Sequence, residues 1–179
     1  REAVSSVAFG PDDRTVIAAS CDGTASLWAL EGRACVRTFS GHRGRVRCAA
    51  FGLDGHGVVT ASDDRTAKLW CSASGRCVRT LRGHRREVLS AAFSPVGKAV
   101  ITASADGTVR LWSAVGWEEV RSFTGHHQEV LHAAFAPNSQ AVVTCSKDRT
   151  AKIWSVESGR CLRTFTGHEG PVRSARFSS

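Results

Sequence analysis

The chain has 179 residues, a formal net charge of +8, and hydrophobic and charged fractions of 42% and 22%. These fractions are typical of an ordinary globular protein. No apolar stretch approaches the roughly 18 residues of a membrane span, and no signal peptide appears at the start of the sequence. The sequence begins at Arg1 and contains no Met, so we expect it to be an internal piece of a longer protein.

Evenly spaced markers divide the chain from one end to the other. Four Trp residues are separated by 42 residues each, and they are Trp28, Trp70, Trp112 and Trp154. Gly-His pairs and a Phe keep the same period, and no insertion interrupts it. The sequence therefore predicts repeats over 1–40, 41–82, 83–124 and 125–166, followed by a partial repeat over 167–179.

Each period predicts four short strands joined by short turns. In the third period the apolar segment VLSAAF is followed by the turn residues SPVGKA and by the buried β-branched run AVITAS. Asp106–Gly107 marks a tight turn, after which TVRLW and EVRSF alternate between apolar and polar residues. Four antiparallel strands in each period describe one blade of an all-β propeller. The tail GPVRSARFSS repeats only a first strand.

The segment GHRREV…AAFSPVGKAVITASADGTVRLW and its three counterparts resemble WD repeats over essentially the whole chain. The Asp that follows the Trp in that family is absent here, where the residues are Ala29, Cys71, Ser113 and Ser155. The resemblance implies an incomplete ring of four blades plus one strand, because the family closes its ring by pairing strands from both chain ends. We expect a fragment of a larger propeller, with a closed four-bladed ring as the alternative.

The resemblance also implies a hydrogen-bonded tetrad of Trp, Thr, His and Asp in each complete blade. The predicted tetrad residues are His42, Thr60, Asp64 and Trp70, then His84, Thr102, Asp106 and Trp112, and finally His126, Thr144, Asp148 and Trp154. A buried indole N–H needs an acceptor, and a hydroxyl can both accept and donate. We expect these groups to be structural, because an enzyme needs one distinct site and this set occurs three times.

The first period lacks part of the tetrad. Ala18 stands where the others have Thr, and only Asp22 and Trp28 of the set remain. We therefore expect the first blade to be the weakest of the four.

The seven cysteines are odd in number and form no CxxC pair, which favours reduced thiols in the cytoplasm or nucleus. Cys35, Cys77 and Cys161 share one periodic position on the outermost strand. Equivalent points on separate blades cannot converge on one ion, so the sequence predicts no metal site. It predicts no cofactor, small-molecule substrate or catalytic residue either.

The resemblance to WD repeats implies that partners bind at the top face, the narrower face of the ring. The positions that contact partners in the family flank the first Val of the inner strand and precede the turn Asp. The candidate partner-binding residues that occupy these positions are Arg45, Arg47, Asp63, Glu87, Leu89, Ala105, Glu129, Leu131, Lys147 and Arg173. Two Leu bordered by charges would suit a peptide or protein partner, although ordinary solvated loop residues remain an alternative at each position. Trp117, in the loop on the opposite face, is either an interaction anchor or packed against its own blade.

The sequence thus favours a non-catalytic scaffold for protein partners within a larger protein or multi-subunit complex. Two alternatives stay open. The positive charge suggests a nucleic-acid-associated propeller, although much of that charge recurs periodically around the ring. The other alternative is a regulatory propeller attached to an enzyme outside this segment.

Overall fold

A computed structural model describes residues 2–178 of the chain. Sixteen strands and one three-residue 3-10 helix, Glu31–Arg33, form its regular structure. No helix of these residues has the length and apolar character needed to cross a membrane. The strands are β1 Val4–Phe9, β2 Thr15–Ser20, β3 Thr24–Ala29, β4 Cys35–Ser40, β5 Val46–Phe51, β6 Gly57–Ser62, β7 Ala67–Cys71, β8 Cys77–Leu81, β9 Val88–Phe93, β10 Ala99–Ser104, β11 Val109–Ser113, β12 Glu119–Phe123, β13 Val130–Phe135, β14 Ala141–Ser146, β15 Ala151–Ser155 and β16 Cys161–Phe165.

The strands form four separate antiparallel sheets of four strands each, in the order β1-β2-β3-β4 and its three counterparts. These sheets are blades 1 to 4 in chain order, and they confirm the predicted all-β architecture. The inner strands β1, β5, β9 and β13 pack side by side, so successive blades face one another. Each inner strand has a register shift near its first residue, for example between Val46 and Cys48.

The second strand of each blade forms the most buried layer. In blade 3 the side chains of Val100, Ile101, Thr102 and Ala103 have no exposed area. A run of apolar and β-branched residues suits this position, because both faces of the strand are covered. Most residues of the outer strands β4, β8, β12 and β16 are exposed.

The hydrophobic core lies between blades rather than within them. Ile17, Leu27 and Phe39 of blade 1 form one cluster with Val46 and Trp70 of blade 2. Equivalent clusters join blades 2 and 3 and blades 3 and 4. Each of these joints between blades therefore buries one outer-strand residue, Phe39, Leu81 or Phe123, in the same cluster as the tetrad Trp of the next blade.

The ring is not closed in the described residues. Phe165, at the outer end of blade 4, is 41% exposed, whereas Phe123 at the same position of blade 3 is 2% exposed. Residues 171–178 follow blade 4, and the Val172 N–H donates to the Ser146 carbonyl at 3.1 Å. This tail forms no ladder of its own, because no second strand lies beside it among residues 2–178.

Candidate functional site

Three blades carry a continuous chain of side-chain hydrogen bonds. In blade 2 the Trp70 Nε1–H donates to Thr60 Oγ1 at 2.9 Å, and His42 Nε2 lies 2.7 Å from the same hydroxyl. His42 Nδ1 lies 2.8 Å from the Asp64 carboxylate. The tautomer that satisfies all four groups is a neutral His that donates from Nδ1 and accepts the Thr proton at Nε2.

The same distances recur in the next two blades. In blade 3 the contacts Trp112–Thr102, His84–Thr102 and His84–Asp106 measure 2.9, 2.8 and 2.9 Å. In blade 4 the contacts Trp154–Thr144, His126–Thr144 and His126–Asp148 measure 2.8, 2.8 and 2.7 Å. The structure therefore brings together each set of four residues that the sequence assigned to a tetrad.

The glycine before each tetrad His makes room for the indole of the same blade. A Cβ on Gly125 would lie 3.2 Å from Cη2 of Trp154, and the φ of Gly125 is 142°. Both the positive φ and the close approach favour glycine. The Gly-His pair is thus one unit, in which glycine covers the Trp and histidine completes the hydrogen-bond chain.

Further side chains attach the loops to each tetrad. The Asp64 carboxylate accepts hydrogen bonds from the Arg43 N–H at 3.0 Å and from the Thr66 hydroxyl at 2.6 Å. Ser62 Oγ donates to the Gly44 carbonyl at 3.1 Å. The roles of this Thr and Ser were not predicted from the sequence, although both residues recur with the period in SDDRT, SADGT and SKDRT.

The tetrad environment shifts the pKa of its ionisable groups. Burial is the largest influence on His42 and lowers its pKa, although Asp64 offsets part of the effect. Burial would raise the pKa of Asp64, but hydrogen bonds from Thr66, Arg43 N–H and His42 outweigh it and lower that pKa to about 2. A neutral His beside an ionised Asp follows in blade 2, and His126 shows the same direction.

The tetrad hydroxyls are closed to solvent. Thr60, Thr102 and Thr144 each have 0% exposed area. A nucleophile must reach the atom that it attacks, and a hydroxyl committed to an indole and an imidazole inside a packed blade has no such access. The geometry therefore suits a strut between strands and loops.

Blade 1 retains only the turn of this arrangement. Asp22 accepts hydrogen bonds from the N–H of Thr24 at 2.9 Å and from its hydroxyl at 2.6 Å. Ala18 offers Trp28 no acceptor, and Trp28 is 36% exposed, whereas Trp112 is 4% exposed.

The top face is the end of the blades that carries the loops of His42, His84 and His126. Two ion pairs lie there among the predicted partner contacts. Arg47 forms a bidentate pair with Asp63, at 2.7 and 2.9 Å, and Lys147 Nζ lies 2.7 Å from Glu129. The structure thus ties these four candidates to one another within their blades.

The remaining candidates differ in exposure. Arg45 and Arg173 are exposed, whereas Glu87, Leu89 and Leu131 are half-buried. Ala105 is only 6% exposed, and its N–H donates to the Glu87 carbonyl. It therefore offers a partner almost no surface.

The repeats of this chain match a known family model. The model described as "WD domain, G-beta repeat" matches residues 1–29, 33–71, 75–113, 117–155 and 159–179. The chain belongs to the WD40 family.

The three full-length WD40 matches, over 33–71, 75–113 and 117–155, are out of phase with the blades. The match over 33–71 contains β4 of blade 1 followed by β5, β6 and β7 of blade 2. One WD40 sequence repeat therefore contributes to two sheets, and it contains both partners of a joint, Phe39 and Trp70, whose ring centroids are 5.8 Å apart.

Curated relatives of this WD40 chain match over a short segment. A probable E3 ubiquitin ligase complex SCF subunit, sconB, from Talaromyces stipitatus is 46% identical over 44 residues. The sconB protein of Aspergillus oryzae is 48% identical over the same length. These segments cover 25% of this chain and 7% and 6% of the two relatives.

Trp117 lies in the β11–β12 loop of the WD40 chain, with a φ of 62° at a position where blades 2 and 4 have glycine. It is half-buried and packs against the cluster that joins blades 2 and 3. Together with Val78, Phe93 and Val96 it lines a cavity of about 770 Å³. Trp117 therefore lies beside side chains of both blade 2 and blade 3.

The cysteines of the described residues are all free. Cys35, Cys77 and Cys161 are exposed on outer strands, whereas burial raises the pKa of Cys145 to about 11. No group of three or more His, Cys, Asp or Glu within residues 2–178 could hold a metal ion.

Proposed function

We propose that this chain is a non-catalytic scaffold that binds a protein or peptide partner on its top face, inside the cell, as part of a larger protein or complex. The observation that carries the proposal is the pattern of the top face. Two half-buried Leu on adjacent inner strands, Leu89 and Leu131, lie among fixed ion pairs.

This arrangement of two Leu bordered by charged residues has the features of a small protein-binding surface. Interfaces commonly have an apolar centre and a polar rim. Here Arg47–Asp63 and Glu129–Lys147 are already paired within the chain. A partner therefore meets charges whose side chains are held in place, which lowers the entropy cost of binding them.

A non-catalytic role is supported by the tetrads. They are the most acid–base-like groups of the chain, yet each Thr hydroxyl is enclosed and the same arrangement occurs in three blades. Such networks hold a scaffold rigid, because removing any member leaves a buried polar partner unsatisfied.

A place in a multi-subunit assembly is supported by the relatives, whose names describe a subunit of a ligase complex. The matched segment is short, so the partners of those proteins are not transferred to this chain. The three exposed free thiols on outer strands favour a reducing compartment.

The test is a matched pair of substitutions, Leu89→Asp on the top face and Leu162→Asp on the outer strand β16, where Leu162 is 61% exposed. We expect Leu89→Asp to abolish capture of partners from a cell extract while thermal unfolding stays close to that of the parent chain. Leu162→Asp should leave the captured set unchanged. Equal capture by the parent chain and Leu89→Asp would overturn the top-face proposal.

A further inference from the structure

A cleft at the top-face end of blade 2 is lined almost entirely by polar and charged groups. It has a volume of about 520 Å³ and extends from the loop before β5 to the residue after β8. Its lining comprises Gly41, Arg43, Asp63, Asp64, Arg65, Thr66, Lys68 and Arg82. We call this the blade 2 cleft.

The two carboxylates of the cleft already have partners. Asp63 pairs bidentately with Arg47, which lies outside the cleft lining. Asp64 accepts hydrogen bonds from His42, the Arg43 N–H and Thr66. Neither acid is therefore free to neutralise the cations around it.

The cations, in contrast, have no acidic partner within residues 2–178. Arg43, Arg65 and Arg82 form no salt bridge there, and Lys68 Nζ donates to the Thr80 hydroxyl at 2.9 Å. Four cations thus face one cleft in which the acids are committed elsewhere. An unbalanced positive cleft of this kind attracts an anionic group.

Comparison with the other blades shows that this concentration is not part of the repeat template. The positions of Arg43, Arg65, Lys68 and Arg82 have counterparts 42 and 84 residues later. In blade 3 the counterparts are Arg85, Gly107, Arg110 and Thr124, and in blade 4 they are His127, Arg149, Lys152 and Thr166. In blade 3 the one strand cation, Arg110, pairs with Glu119 at 2.5 Å. Of blades 2, 3 and 4, only blade 2 has an arginine at both the Arg43 position and the Arg82 position, so the cleft departs from the repeat pattern.

The tetrad fixes part of the cleft in place. The backbone of Arg43 is attached to Asp64 through its N–H, and Asp64 is attached to His42. Arg65 lies in the same turn with a φ of 68°, where blades 1 and 3 have glycine. The chain therefore keeps an arginine where the backbone favours glycine.

We propose that the blade 2 cleft binds an acidic peptide segment of a protein partner through Arg43, Arg65 and Arg82. Arginine forks match carboxylates in bidentate geometry. The cleft lining contains no aromatic side chain on which a base could stack, and its cations are confined to one blade, whereas nucleic acid binding favours stacking residues and an extended basic track. This site goes beyond the Leu-centred surface proposed above and does not depend on it.

The experiment measures binding of a dye-labelled peptide with consecutive glutamates by fluorescence anisotropy, with a glutamine peptide of equal length as the control ligand. The double variant Arg43→Gln/Arg82→Gln should lose about a hundredfold in affinity, because it removes two charged hydrogen bonds and each is worth roughly a factor of ten. The control variant Arg160→Gln removes one charge in the β15–β16 loop of blade 4 and should bind like the parent chain.

Three outcomes would overturn the proposal. The first is equal loss in Arg160→Gln and the double variant, which would show a non-specific charge effect. The second is equal binding of the glutamine peptide. The third is tighter binding of a single-stranded oligonucleotide that depends on the same arginines, which would assign the cleft to nucleic acid. Leu89→Asp should bind the glutamate peptide normally, which separates this site from the top-face proposal.

Discussion

The joints between blades and the two ends of the described chain present the same residue types, at the same repeat positions, in different surroundings. At the joint between blades 3 and 4, Phe123 is 2% exposed and packs 5.9 Å from the Trp154 ring. At the far end of blade 4, Phe165 occupies the same repeat position and is 41% exposed. At the other end Trp28 is 36% exposed, whereas Trp70 is 2% exposed.

The difference shows that a blade does not bury its own core. An outer-strand side chain of one blade and the tetrad Trp of the next form the two halves of each joint, and the outer residue is Phe39, Leu81 or Phe123. Each end of the described chain presents one unmatched half. Stability in such an arrangement is approximately a sum over neighbouring blades. The contribution of a residue therefore depends on its position in the row as well as on its place in the repeat.

The largest expected effect compares the two Phe residues. Phe123→Ala should lower the free energy of unfolding by about 3–5 kcal/mol, since it opens a cavity against Trp154. Phe165→Ala should cost about half of that or less, because part of its side chain is already in water. Urea unfolding of the two variants measures both values. Equal costs would contradict the view that the joints carry the core.

A smaller effect is expected from the tetrad of blade 3. Thr102→Ala should lower the free energy of unfolding by about 1–3 kcal/mol, because the Trp112 N–H and His84 lose their shared partner. Thr102→Ser keeps the hydroxyl and is the matched control, which should retain most of the stability. Thermal unfolding of both variants tests the prediction. An undiminished melting temperature in Thr102→Ala would count against the tetrad as a strut.

The smallest effect is the pH dependence of the complete blades. Burial holds the pKa of His42 below its ordinary value of 6.5, so the unfolded chain binds the proton first as the pH falls. The stability from His42 is therefore fully present above about pH 6.5 and declines below it. Asp64, with a pKa lowered from 3.8 to about 2, adds a second loss as the pH falls through that range.

Melting temperatures between about pH 7.5 and pH 5 measure the first of these losses. The parent chain should become less stable toward acid, and the dependence should be weaker in His42→Gln, which cannot take up a proton. The same pH slope in both chains would show that His42 does not contribute to it. Blade 1, which lacks a tetrad His among the described residues, should be least affected when hydrogen exchange is followed blade by blade.

Much of the fold was accessible from the sequence because the signals are local and repeated. The spacing of Trp, Gly-His and Phe predicted four-stranded blades, and the turn residues set the strand limits. The tetrad members could be named because the resemblance to WD repeats implies them, and the hydrogen-bonding needs of an indole, a hydroxyl, an imidazole and a carboxylate agree with that assignment. The supporting Thr66 and Ser62 were equally periodic, but their roles depend on which loop atom lies within hydrogen-bond distance.

By itself, the sequence determined the strands and their grouping into blades, because these follow from short-range pattern and from period. The membership of each tetrad was implied by the resemblance to WD repeats. Only the tertiary structure decided which of two identical repeat positions is buried, as with Phe123 and Phe165, because burial depends on the neighbouring blade. The fold also decided that Arg47 pairs with Asp63, whereas Arg43 and Arg82 have no acidic partner within residues 2–178. Arginines that the sequence alone does not distinguish differ in whether the fold places a carboxylate within salt-bridge distance of them.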